Sequence, residues 1–254
     1  MGQDVFASQH HAARVVTILF ATTNAGKKHE TEAFLQAEMS SGQQAIQVAL
    51  MMPDDLPECE ETGTTFLANA RLKAESARQL LWDDATGERC ADYAAVDYVL
   101  AEDSGFEVPV LDGRYGLSPF PGVRSNRWMS AVIAEELLGM TTADRAPDYS
   151  QLNAGLLKLM DGQVDRRARY VSAVSLMTPG GTPVFETEGD VALTLIGVDE
   201  LPRGTNGFGY DPIVCMTALS GEEPRRTVAE MQTEEKNQFS HRANALKQLT
   251  DWLR

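Results

Sequence analysis

Positive charge is scarce in this chain of 254 residues: Lys and Arg total 22 against 37 Asp and Glu, a formal net charge of −15 at pH 7. A general binder of duplex DNA or RNA displaces counterions with a positive surface, so the balance argues against that class. A small anionic ligand remains open, because a pocket needs only a few local cations or a metal. The rest of the acidic excess reads as solvated surface. Cysteine is also sparse. Cys59, Cys90 and Cys215 form no C-x-x-C pair, which argues against a disulfide framework or structural zinc and for a reducing cytoplasm. No run reaches the ~18 apolar residues of a membrane span. Residues 1–14 lack the basic start and apolar centre of a secretory signal and are read as a disordered extension. Phe6 stands where N-myristoylation wants Ser or Thr. What is present, 43% hydrophobic and 23% charged residues, is the balance of a globular protein long enough to bury its own core, and 15–254 reads as one domain.

Strand-like and helix-like segments alternate. VVTILFA (15–21) is a short β-branched apolar run, read as a buried strand, followed by a turn-prone loop and a helix over 27–39. A second strand is expected at 45–50. Phe66, Ala70, Ala74, Ala77 and Leu81 make one apolar stripe, which predicts a helix over 64–82, and Asn69 and Lys73 share its neighbouring face. A strand at 98–101 is expected to end at Glu102-Asp103, with 83–97 as a surface excursion. Helices are predicted at 131–138 and 152–160. Strands are predicted at 169–177, 184–188, 191–198 and 213–216, the middle ones antiparallel. A last helix begins after Ser240 as its N-cap, with Ala245, Leu249, Trp252 and Leu253 on one face. The class is α/β with a mixed sheet.

Four clusters carry chemistry. Thr22-Thr23-Asn24-Ala25-Gly26-Lys27 is a strand-to-helix loop whose backbone donors and lysine suit a phosphate, or it is simply a capped helix start. Ala21 and Lys28 occupy the places where a Walker P-loop needs Gly and Ser or Thr. Glu58, Glu60 and Glu61, with Glu102-Asp103, offer hard oxygens to a cation such as Mg²⁺. The alternative is that Glu61 caps a helix and Asp103 a turn. The loop 203–212 sets three glycines around Phe208 and Tyr210, where a base could stack or a hairpin could turn. Lys236, His241 and Arg242 gather at a helix start, where Arg242 opposes the helix dipole unless an anion lies nearby.

Taken together and in order, T-T-N-A-G-K, E-T-G-T-T-F-L-A-N-A-R-L-K-A, E-D-S-G-F-E-V, and G-F-G-Y-D-P-I followed by T-x-A-E-M-x-x-E-E-K-N-x-x-S-H-R closely resemble the non-canonical purine nucleoside triphosphate pyrophosphatases, the inosine triphosphatase family. The resemblance spans about 15–253. It implies an elongated two-lobed α/β fold around a long mixed sheet, a homodimer, and Mg²⁺-dependent hydrolysis of ITP, dITP and XTP to the monophosphate and pyrophosphate. By position it assigns Thr22, Thr23, Asn24, Ala25, Gly26 and Lys27 to the triphosphate and Glu61 and Asp103 to the metal. Asp103, Lys27 and Lys73 become the catalytic groups. Ser104, Phe208, Gly209, Tyr210, Asp211, Lys236, His241 and Arg242 become substrate contacts. Glu102 replaces the Asp more usual in bacterial members, and 113–127 is longer than the common form. Two other classes compete: a pyrophosphatase for pyrimidine nucleotides, and a sensor that keeps the pocket without turnover.

Overall fold

The computed structural model describes residues 14–40, 46–83, 85–140, 146–207, 209–217, 226–232, 235–236, and 239–254. The expected extension at 1–14 lies outside these, apart from Arg14, which is the first residue of a strand. The elements are β1 (Arg14–Ala21), α1 (Ala25–Ser40), β2 (Ile46–Met51), α2 (Phe66–Arg78), β3 (Tyr98–Glu107), β4 (Pro121–Gly122), α3 (Ala131–Leu138), α4 (Tyr149–Leu159), β5 (Arg167–Met177), β6 (Pro183–Leu195), β7 (Val214–Met216) and α5 (His241–Leu253). The strands form one mixed sheet in the order β2-β1-β3-β5-β6-β7, with β4 paired to β3. β2-β1-β3 are parallel and the rest antiparallel.

From β1 the chain crosses through α1 to β2 on one side, then returns through α2 to β3 on the other. Two right-handed crossovers running in opposite directions put their helices on opposite faces of the sheet. α5 lays Ala245, Leu246, Leu249 and Leu253 on Val16, Ile18, Phe20, Leu100 and Val174, and Phe34 of α1 packs there too. On the other face Ala74 and Ala77 of α2, with Leu81 beyond it, cover Leu19, Val99 and Ala101. A separate core fills the far halves of β3, β5 and β6, where Phe106, Phe120, Trp128, Leu152, Leu156, Leu193 and Ile213 meet. The two clusters that sandwich the near half of the sheet make one lobe and the cluster on its far half makes the other.

Several expectations are corrected. β3 does not end before Glu102-Asp103 but runs through them to Glu107, because β5 pairs with it residue by residue from Val99 to Glu107. The strands expected at 184–188 and 191–198 are one strand, β6, since Gly189 and Asp190 keep register with Ser172 and Val171. α1 starts at Ala25 because Asn24 caps it, its Oδ1 accepting the Lys27 N–H at 3.1 Å. Thr65 caps α2, so Glu61 has no capping role there. α4 starts three residues early on a capping box, Asp148 with Gln151. The 83–97 stretch is anchored: Asp97 Oδ2 accepts the Thr17 N–H at 2.9 Å, and Arg89 pairs back to Trp82. Trp252 stays 42% exposed, edge-on to Tyr98.

Gly189 is where α5 crosses β6. A Cβ there would strike the backbone at Ala245 and His241. Gly189→Ala should therefore lift the start of α5 off the sheet and cost about 3 kcal/mol, near the upper end of ordinary overpacking. A urea midpoint unchanged from wild type would refute this packing account.

Candidate active site

In open α/β sheets ligands bind beyond the carboxyl ends of the strands, at the point where the strand order reverses. Here that point lies between β1 and β3. β1 stops at Ala21, opposite Ala101, and β4 begins to pair only at Phe106. The edge of β3 from Glu102 to Gly105 is thus bared in the middle of the sheet, and a cleft of 540 Å³ opens on it.

Alternation along β3 sends successive side chains to opposite faces. Glu102 points to the α1/α5 face. It is 2% exposed, accepts from Ser172 Oγ at 2.8 Å and Arg242 Nε at 2.7 Å, and lies 3.7 Å from Lys27 Nζ. Burial alone would raise its pKa, but Lys27 and Arg242 outweigh that and hold it well below the carboxylate range. Asp103 points to the α2 face, where Lys73 Nζ donates to Oδ1 at 2.7 Å and Asn69 Nδ2 donates to Oδ2 at 3.1 Å. Lys73 also lies 3.1 Å from Glu61 Oε1. Burial opposes the charge on Lys73, yet Asp103 and Glu61 prevail and raise its pKa. Lys27 moves the other way: burial, with Arg242 and Lys73 nearby, lowers it against the pull of Glu102.

The far lobe supplies an aromatic end. Phe106 stacks on Tyr210 with centroids 4.4 Å apart and leans on Tyr170 at 5.2 Å. Tyr149 meets Tyr210 edge-on, and His241 lies along Tyr170 at 5.3 Å. Tyr170 Oη donates to Asp211 Oδ1 at 2.9 Å, while Lys236 Nζ donates to Oδ2 at 2.7 Å. Burial, reinforced by Arg242, drives His241 down to about 3, so its ring is neutral at neutral pH and retains one N–H donor and one acceptor.

Thr22, Thr23, Asn24, Lys27, Glu61, Lys73, Asp103, Ser104, Gly209, Tyr210 and His241 all line this one cleft. Others stand behind it. Ala25 and Gly26 form the first turn of α1 without lining it. Asp211 is buried and Lys236 is held on it. Arg242, 4% exposed, is turned onto Glu102 and Glu30, so the anion that offsets its place in the helix dipole is the protein's own carboxylate. Phe208 lies outside the described residues. Glu102 and Asp103 are not a ligand pair after a strand end, because the sheet separates their side chains. The sequence reading missed Tyr149 and Tyr170, which line the aromatic end. The capping box before Tyr149 was a legible signal that the residue opens a helix; nothing local marks Tyr170.

A family model described as the Ham1 family matches residues 18–252. The chain belongs to the Ham1 family. A relative named dITP/XTP pyrophosphatase from Exiguobacterium sibiricum is 38% identical over 235 residues, covering 91% of this chain and 94% of that protein. The solved structure of a HAM1 protein from Coxiella burnetii is 26% identical with a TM-score of 0.66, covering 94% of this chain and 98% of that one. A nucleoside-triphosphatase, also titled dITP/XTP pyrophosphatase, from Mycobacterium abscessus is 32% identical with a TM-score of 0.59, covering 94% and 100%. The mixed sheet with its two lobes is thus the fold these Ham1 structures share with this chain.

The neutral His241 has a stability consequence in this member of the Ham1 family. Its pKa is lowered from 6.5 to about 3, so the unfolded chain binds more protons between those values and stability falls as pH drops through the window. The contribution is fully present above 6.5. His241→Asn should lose less stability over this interval than wild type, by urea midpoints. Parallel decline of the two would count against a neutral buried ring.

Proposed function

We propose that the chain hydrolyses ITP, dITP and XTP to the nucleoside monophosphate and pyrophosphate, with Mg²⁺ as cofactor. One observation carries the reading: Lys27 and Lys73 converge with Glu61 and Asp103 in a cleft that ends in aromatic rings. Relatives bearing the name dITP/XTP pyrophosphatase support the substrate class.

Glu61 and Asp103 fit Mg²⁺. They offer only hard oxygens, and the Lys73 ammonium between them shows that the pair already balances a positive charge. Among the described residues no three His, Cys, Asp or Glu side chains converge, so phosphate oxygens and water would complete the shell. When bound, Mg²⁺ supplies Lewis-acid neutralisation of the phosphates and a lowered pKa for water.

The chain's own residues do the rest. The triphosphate lies at the start of α1, where backbone N–H groups and the helix dipole favour negative charge. Lys27 and Lys73 stabilise charge that grows as the bond to the leaving group breaks. A water oxygen attacks the α-phosphorus, the bond from that phosphorus to the bridging oxygen breaks, and pyrophosphate leaves. The water's proton passes to Asp103. Phe106, Tyr149, Tyr170 and Tyr210 form the end that receives the base. Neutral His241 donates a hydrogen bond to the 6-oxo group, a position where adenine presents a donor and leaves the site unpaired. The family resemblance extends this proposal to a homodimer. The three free cysteines agree with a reducing, cytoplasmic setting. No helix among the described residues is long and apolar enough to cross a membrane.

A pyrophosphate-release assay with Mg²⁺ should show strong preference for ITP, dITP and XTP over ATP, GTP, CTP and TTP, abolished by EDTA. Asp103→Asn should lower turnover by roughly a hundredfold or more while leaving ITP binding measurable. Even turnover across the common nucleotides would remove the base selectivity. ITP binding without turnover in wild type would make the chain a sensor instead.

A further inference from the structure

Asn69 has no part in the mechanism above and does not line the cleft, yet it is fully buried on the first turns of α2. It uses both ends of its amide. Nδ2 donates to Asp103 Oδ2 at 3.1 Å, and Oδ1 accepts the Gly63 N–H at 2.8 Å. Gly63 is two residues from Glu61, on a stretch with no strand or helix of its own. One side chain therefore ties the loop that carries Glu61 to the strand that carries Asp103.

The loop is also pressed close. A Cβ on Gly63 would stand 2.5 Å from Asn69 Oδ1 and 2.8 Å from Ala68 Cβ, so only glycine lets the chain approach α2 this nearly. One turn further along α2, Lys73 holds the other Asp103 oxygen and the Glu61 carboxylate from the cleft side. An amide suits the rear position because it donates and accepts at once. A carboxylate there could not donate to Asp103, and an ammonium could not accept from Gly63.

We infer that Asn69 is a positioning residue for the metal: an amide clamp that sets Glu61 and Asp103 at the separation at which both can ligate one hard divalent cation. The inference rests on the reading of Glu61 and Asp103 as the Mg²⁺ ligands. Groups that orient metal ligands from behind typically contribute 10–100-fold to affinity. The clamp touches no substrate, so its loss raises the metal concentration needed for half-maximal rate far more than it lowers the rate at saturating metal.

The test uses Mn²⁺ as an oxygen-seeking probe, its free ion followed by electron paramagnetic resonance, with Mg²⁺ as competitor and circular dichroism as the check on folding. Asn69→Ala and Gly63→Ala should each weaken Mn²⁺ binding about tenfold or more. A folded Asn69→Ala protein with wild-type affinity overturns the clamp. Should that variant not fold, Gly63→Ala decides the matter from the loop side by the same criterion. Glu61→Gln and Asp103→Asn separate the two levels of the argument: if neither changes Mn²⁺ binding, the ligand reading fails and takes the clamp with it. If both abolish binding while the Asn69 and Gly63 variants do not change it, only the clamp fails.

Discussion

A carboxylate buried as deeply as Glu102 is tolerated only with its charge fully matched, and the way it is matched organises this protein. Removing an ion from water costs several kcal/mol even after relaxation, so each partner must be held in place. Ser172 on β5, Arg242 on α5 and Lys27 on α1 all converge on it, and Glu30 on α1 balances the second edge of Arg242. Two helices and two strands are thus fastened at one point, next to the cleft. Burial is the main reason that His241 stays neutral and Lys27 is lowered; Arg242 adds to it and Glu102 pulls both the other way.

The second constraint is the period of a strand. Glu102 and Asp103 are neighbours in sequence but serve different faces: one anchors α5 and α1, the other meets α2 and the Glu61 loop. Both reach the cleft because β1 ends at Ala21 and leaves that part of β3 without a neighbour on one side. A site made by stopping one strand of a parallel set can use residues from both faces of the next, which a continuous sheet would keep apart.

Net charge and local charge are also reconciled. The chain carries −15 overall, yet two lysines face the cleft, each beside carboxylates that keep it in position. An anion entering between them meets cations already oriented and already partly desolvated, which strengthens the interaction relative to open water.

Local pattern determined much of this molecule. The apolar stripe of α2, the cap at Ser240, the glycines of the 203–212 loop and the ordered motifs of the family are all readable within a few residues, because periodicity and capping are short-range effects. Several cleft-lining groups were legible as chemistry: Lys27, Glu61, Asp103 and His241 belong to clusters that stand out by residue type, and the family resemblance adds Lys73. Only the tertiary structure decided what each of them faces. That β3 continues past Asp103, that β6 is one strand through Gly189, and that Tyr149 and Tyr170 join the aromatic end all depend on partners beyond the reach of any local sequence window. Arg242 shows the difference most clearly: its sequence neighbours mark it as a cation awaiting an anion, and the anions proved to be Glu102 and Glu30, 140 and 212 residues distant, because the packing of α5 on the sheet buries the guanidinium and a buried charge must be matched.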